Sequence, residues 1–242
     1  AEIDRGTASP DSEDCAWSGD LGTAAPINTV LIYQGTPASR GTRATVAEDA
    51  VTAFGATPHV TTSAADFTAA YDTGGFDLIV WESPSPAFTS DVQTRLTSWV
   101  EGGGRLIFSY WNLRLTSLNA WRAVLGIDVA DSWSDGGRPL VTNPSAPIDL
   151  LEGMRSPLTG LDDAWGINGQ FLTLTGGGFI AIDADATAAP RGVVAVTNGA
   201  RVIVNGLLHH DYAGTDADSD GTDDVVEFLL NELTLLGSPP PI

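Results

Sequence analysis

In the first half of the chain, hydrophobic and polar positions alternate between two periods. Short apolar runs bounded by Gly, Pro, Ser or Asp predict buried strands at Thr29–Tyr33, residues 59–62, residues 76–81 and Arg105–Tyr110. Between them the apolar positions recur at helical spacing. A helix is predicted over residues 42–54, with Val46, Ala50, Val51 and Phe54 on one stripe and Gly55 as its stop. A second runs over 63–71, capped by Ser63 with Asp66 in its first turn. A third begins at Thr89 or Ser90 and carries Val92, Leu96, Trp99 and Val100 on its apolar side. Glu101-Gly102-Gly103-Gly104 ends it, because glycine accepts the left-handed backbone of a helix stop. Strands alternating with helices over about eighty residues predict a doubly wound, mostly parallel α/β sheet, flavodoxin-like in outline.

The second half is less regular. Residues 112–125 read as a helix burying Leu115, Leu118, Trp121, Ala123 and Val124. Residues 126–170 are rich in Gly, Pro, Asp and Ser, with strands hinted at only around 128–130 and 140–141. Strands are then predicted at 171–175, 179–183, 193–197 and 201–208, separated by Gly and Pro turns. The helices between strands are gone, so antiparallel additions to the sheet are expected. A final amphipathic helix covers 225–236. This organisation predicts a polar leader or linker over 1–27, one α/β domain over 28–236, and a Pro-rich tail over 237–242. The Gly-rich stretch at 101–104 precedes a strand and not a helix, the wrong context for a phosphate loop.

Charge narrows the partners. The chain of 242 residues has a formal net charge of -20, and every basic residue is Arg. Nucleic acid and anionic membrane surfaces reward basic residues, so neither is an expected partner; cations are. Cys15 is the single cysteine, which excludes an internal disulfide framework and a Cys-rich metal site. No apolar run reaches membrane-spanning length, so no membrane insertion is expected. The chain opens Ala-Glu-Ile-Asp-Arg, without a signal peptide, as a cytoplasmic protein or a trimmed export product would.

The most specific motif lies at 216–227. Asp216, Asp218, Asp220, Gly221 and Glu227 fit the D-x-[DN]-x-[DN]-G-x5-E calcium loop. Alternate carboxylates at loop positions 1, 3 and 5 converge as the loop curls, and glycine at 6 permits the sharp turn. Thr222 then offers its backbone carbonyl, Asp224 binds directly or through water, and Glu227 closes the sphere with two oxygens. Glu227 falls in the first turn of the predicted last helix. The preceding residues, His209 to Thr215, are not helical, so the loop resembles the isolated calcium loops of dockerin-like and other extracellular proteins. That resemblance implies a secreted or cell-surface location. The bland reading of the same residues is a solvated acidic loop.

Three features resemble the class I glutamine amidotransferase-like superfamily, above all its ThuA-like members. They are the strands at 29–35 and 76–81 with the helix–Glu-Gly-Gly-Gly–strand unit at 91–111, the Ser156-Pro157-Leu158-Thr159-Gly160-Leu161 stretch, and Gly199 to Gly206 leading into His209-His210-Asp211. The resemblance implies a Cys nucleophile at a tight elbow after the fourth strand, and a His with an acidic residue two positions on after a late strand. His209 and Asp211 match the late pair. The nucleophile is missing: the strand ends Ser109-Tyr110-Trp111-Asn112, and the elbow tolerates only small neighbours. Ser109 reads more readily as a buried strand residue than as a substitute nucleophile.

Glu82 and Gln34, at the ends of the third and first strands, are expected to face one cleft, where a Glu serves as general base or simply caps a helix. Trp81, Tyr110, Trp111, Trp121, Trp133 and Trp165 supply aromatics for core filling or for stacking on sugar rings. The favoured expectation is a catalytically silent, calcium-stabilised binding or scaffold domain, with carbohydrate or another protein as further partner. The alternative is a ThuA-like hydrolase or carbohydrate-active enzyme using His209, Asp211 and Glu82 in a strand-end cleft.

Overall fold

A computed structural model describes residues 25–35, 45–83, 88–110, 112–133, 138–154, 157–158, 169–184, 191–209, 216 and 219–237. The first half alternates as β1 (Thr29–Tyr33), α1 (Val46–Ala53), β2 (Thr57–Thr61), α2 (Ala64–Thr73), β3 (Leu78–Ser83), α3 (Ser90–Glu101) and β4 (Arg105–Tyr110). A 3-10 turn (Thr116–Leu118) leads into α4 (Asn119–Leu125). Then come β5 (Ile127–Trp133), β6 (Leu140–Thr142), β7 (Gly169–Leu174), β8 (Gly178–Ala184), β9 (Gly192–Thr197), β10 (Val202–Asn205) and α5 (Asp224–Gly237).

Eight strands form one sheet in the order β2-β1-β3-β4-β10-β9-β8-β6, and β5 and β7 pair separately. From β2 to β10 every neighbour is parallel; β10–β9, β9–β8 and β8–β6 are antiparallel. This is the mostly parallel α/β fold with antiparallel additions that the sequence predicts. The parallel strands are apolar on both sides because both sides are covered. Val30, Ile32, Leu78, Val80, Ile107 and Ile203 face a layer that includes α1 and α5. Leu31, Ile79, Trp81, Phe108, Tyr110 and Val204 face α2, α3 and α4. Trp81 and Trp121 are wholly buried in this second layer, where Phe88 sits 5.5 Å from one ring and 5.7 Å from the other.

Local chemistry sets the boundaries. Ser63 caps α2 by accepting a hydrogen bond from the Asp66 N–H at 3.0 Å, and Thr89 caps α3 by accepting one from Val92 at 3.3 Å. At the end of α3, Gly103 has φ +86, and Gly104 leaves room for the Trp99 ring, which a Cβ there would meet at 2.3 Å.

Several predicted boundaries shift, and three of the changes have a clear cause. β3 starts and ends two residues later than the apolar run suggested. Asp77 instead turns its carboxylate back to accept the Asn28 and Thr29 N–H groups. The ladder with β4 carries β3 through Glu82 and Ser83, opposite Ser109 and Tyr110. The single helix expected over 112–125 divides, with the Arg122 guanidinium donating to the Leu113 and Leu115 carbonyls that precede the 3-10 turn. β10 stops at Asn205 and not at 208. A Cβ at Gly206 would lie 2.2 Å from the Gln170 carbonyl oxygen, where β7 crosses close to the chain.

Candidate functional site

The carboxyl ends of the parallel strands carry a row of polar side chains on the face covered by α5. Register places Glu82 on β3 beside Ser109 on β4, and Ser109 beside Asn205 on β10. Gln34 follows Tyr33, which pairs with Trp81, so it extends the row to the end of β1. Strand alternation explains the placement: the neighbours Tyr33, Trp81, Phe108 and Val204 all belong to the opposite layer.

His209 closes the row. Leu207, Leu208 and His209 continue inward past the end of β10, and the imidazole is wholly buried. Its Nε2 lies 3.1 Å from Glu232 Oε2 on α5. Its Nδ1 lies 3.4 Å from Ser109 Oγ and 3.7 Å from Glu82 Oε2. Asn205 Nδ2 donates to Ser109 Oγ at 3.2 Å and to Glu232 Oε2 at 3.4 Å. The Phe228 ring packs edge-on against the imidazole at 4.9 Å. The cluster is sealed: Glu82 is 3 % exposed, Ser109 1 %, and Asn205, His209 and Glu232 0 %.

Burial alone would strip the proton from His209. The attraction of Glu232, its hydrogen bond and the nearby Glu82 carboxylate outweigh that and raise the imidazole to about 10. At neutral pH the ring is therefore an imidazolium with a proton on each nitrogen. Hydroxyl, imidazole and carboxylate stand in the order a nucleophilic triad uses. The middle member is already protonated, however, and cannot take the Ser109 proton. Among the described residues the row is buried and does not open as the cleft expected from Glu82 and Gln34; the two-residue shift of β3 draws Glu82 into the ladder.

Tyr110 does not join this cluster. Its ring points into the opposite layer, 5.6 Å from Phe88. Gln170 braces the end of β4, donating to the Tyr110 carbonyl at 3.2 Å and accepting the Arg114 N–H at 2.9 Å. Asp211, His210, Trp111 and Trp165 lie outside the described residues, as does the Trp133 side chain. Glu232 and Asn205, central to the cluster, were not among the residues the sequence singled out. Their signal was present: Glu232 falls on the buried stripe of α5 between Phe228 and Leu236, and Asn205 ends an apolar strand.

At the predicted calcium loop, the Asp216 carboxylate accepts the Asp220 and Gly221 N–H groups, each at 2.9 Å. Asp220 Oδ1 accepts the Thr222 N–H at 2.7 Å, and Gly221 has φ +98. Asp224 is wholly buried as the first residue of α5, and Glu227 follows in its first turn. Asp218 lies outside the described residues. Among the described residues no three His, Cys, Asp or Glu side chains converge to hold a metal ion. No helix among them is long and apolar enough to cross a membrane.

No protein-family model and no curated protein matches the chain. Solved structures do. A protein described as ThuA-like, from Parabacteroides merdae, superposes with a TM-score of 0.56 at 10 % identity, covering 90 % of this chain and 93 % of that one. The α-L-fucosidase isoenzyme 2 of Paenibacillus thiaminolyticus superposes with a TM-score of 0.55 at 11 % identity, over 87 % of this chain. The match takes in 33 % of the fucosidase, so the chain spans about a third of that enzyme. At such identities the likeness establishes the fold alone, a mostly parallel α/β architecture shared with the protein described as ThuA-like.

Proposed function

We propose that this chain is a catalytically silent, calcium-stabilised binding or scaffold domain of amidotransferase-like fold, working in a secreted or cell-surface setting. The observation that carries the first part is the burial of the cluster. His209 is held between Glu232 and Glu82 at 0 % exposure, and Ser109 beside it is 1 % exposed. A serine that no substrate reaches, beside a base that already holds its proton, does not perform acyl transfer.

Calcium rests on the loop. The curl around Asp216 and the turn at Gly221 are those that six-ligand calcium loops use, and the donors are hard oxygens. Asp216, Asp218, Asp220, the Thr222 carbonyl, Asp224 and Glu227 would hold the ion, and its charge would offset their mutual repulsion. A net charge of -20 without lysine suits a cation-rich exterior. The second reading, a ThuA-like hydrolase or carbohydrate-active enzyme, is favoured by the serine–histidine–glutamate order alone.

One pair of measurements tests both parts. Calcium at about a hundred times its dissociation constant stabilises by about 2.7 kcal/mol, raising the melting midpoint by about 5–10 °C over a chelator control. Asp216→Asn should lose most of that rise, and an unchanged midpoint in the natural sequence removes calcium from the account. A fluorophosphonate probe should leave Ser109 unmodified; labelling abolished by Ser109→Ala would establish the hydrolase instead.

A further inference from the structure

β2 is the end strand of the eight-stranded sheet, and among the described residues nothing pairs with its outer side. Which groups face outward follows from the bonds to β1. Thr57 donates to the Asn28 carbonyl at 2.8 Å and the Thr61 carbonyl accepts the Gln34 N–H at 3.2 Å, so residues 57, 59 and 61 bond inward. The alternate groups point away from the sheet: the Pro58 carbonyl, the Val60 N–H and carbonyl, and the Thr62 N–H. Proteins guard such an edge with proline, charge or a covering element. Here Pro58 guards only the start, by lacking an N–H of its own.

A groove of about 390 Å³ follows this open stretch, walled by His59 and Thr61 on β2 and by Asp66, Ala69, Ala70 and Thr73 on α2. The small side chains of α2 leave the space. The His59 ring lies edge-on to Phe76 at 5.6 Å, which places it on the α2 side of the strand. Consider a strand laid parallel to β2, with one residue opposite His59 and another opposite Thr61. Its N–H groups reach the Pro58 and Val60 carbonyls, and its carbonyls take the Val60 and Thr62 N–H groups, so every outward group is answered. The same two residues turn their side chains to the α2 side, into the groove. An antiparallel second copy fits worse. Paired about Val60, it would place Thr62 of one copy opposite Pro58 of the other, where the ladder lacks an N–H, and would join two chains of net charge -20. Among the described residues Asp66 is the one carboxylate on the groove and no Arg lines it, so the charge there favours a basic side chain.

We propose that the β2 edge accepts an extended segment of a partner protein, laid parallel to β2 along Pro58 to Thr62, with a lysine or arginine side chain turned into the groove towards Asp66. This is strand addition, in which main-chain bonds supply the affinity and alternate side chains the selectivity. It rests on the reading of the chain as a binding domain, and on neither the calcium loop nor the buried row.

The probe is a capped peptide, Thr-Lys-Val-Lys-Val-Thr, added at millimolar concentration to the full chain in calcium; the same peptide with glutamate for lysine is the control. Amide hydrogen exchange is followed by NMR. The outward N–H groups of Val60 and Thr62 should slow by about tenfold or more with the lysine peptide, while His59 and Thr61, already bonded to β1, change little. The glutamate peptide should bind several-fold more weakly, and the gap should close in high salt. Ala69→Trp, at an exposed position, fills the groove and should abolish the protection without lowering the melting midpoint. Unprotected Val60 and Thr62, equal binding of the two peptides, or protection that Ala69→Trp retains overturns the proposal. So does a dimer in sedimentation that Ala69→Trp separates, since the edge would then belong to a second copy. Should Ala69→Trp destabilise the fold, Asp66→Asn decides: it keeps an acceptor for the Ser63 hydroxyl and should lose the preference for lysine over glutamate, and a preference it retains overturns the site. Neither the calcium shift nor Ser109 labelling involves β2, so a failure here is distinct from a failure of either of those readings.

Discussion

Raising the pH from 6.5 towards 10 should drain stability from this protein steadily, through a single proton. His209 holds that proton to about 10 in the folded chain, against 6.5 for an unperturbed imidazole. Below 6.5 both folded and unfolded chains bind it, and the stabilisation from the Glu232 and Glu82 contacts is complete. Between the two values the folded chain holds one proton more, so stability falls by about 1.4 kcal/mol per pH unit. Across the window the total is about 5 kcal/mol, a large part of a domain's net stability of about 5–15 kcal/mol. The assay is urea unfolding at fixed ionic strength from pH 6 to 10.5, followed by tryptophan fluorescence. His209→Gln supplies the comparison: it keeps most of the volume and removes the titration. The mutant should be less stable at pH 6 and show a flatter profile between pH 7 and 9.5. A natural sequence that is flat over that interval, or a mutant whose slope runs parallel to it, would refute the buried imidazolium.

Other substitutions probe the same packing. Glu232→Leu strands the imidazolium among apolar groups and should cost about 3–5 kcal/mol in urea unfolding, whereas adding His209→Leu should recover much of the loss; equal losses in single and double mutants would contradict a coupled pair. Gly206→Ala drives a Cβ to 2.2 Å from the Gln170 carbonyl oxygen, a backbone atom that cannot swing aside. It should cost about 3 kcal/mol or prevent folding, and a near-neutral melting midpoint would show that β7 does not press on β10 as described. Arg105 donates from Nη1 to the Ala25 carbonyl at 2.6 Å and to the Leu236 carbonyl at 3.3 Å, tying the segment before β1 to the end of α5. Arg105→Ala should therefore cost about 2–3 kcal/mol and speed hydrogen exchange at both ends; exchange unchanged at 25–28 would remove the tie.

The parallel core was legible because its strands are buried on both faces and its helices on one, which writes two clear periods into the sequence. Boundaries failed where side chains, not hydrophobicity, decide them. Asp77 looks like a strand residue until its carboxylate is seen accepting two N–H groups from the start of β1. That slip of two residues turned Glu82 from a turn acid into a ladder residue. His209 was legible as unusual, since it directly follows an apolar strand. Its partner was not, because Glu232 lies twenty-three residues further on, across the loop, and only folding sets it opposite. A charged residue at a stripe position of an apolar helix is the general sign of such a partner. The turn in which Asp216 accepts the Asp220 and Gly221 N–H groups is local and follows from spacing; the buried row does not, because it is assembled from four strands and a helix.

Nitrogen NMR of the His209 side chain at pH 7.5 tests the central claim most directly. Two protonated ring nitrogens, slow exchange with solvent and no titration until the pH approaches 10 are expected. A neutral ring in fast exchange, titrating near 6.5 with a working base's free nitrogen turned to Ser109, would contradict it and return the strand-end cluster to catalysis.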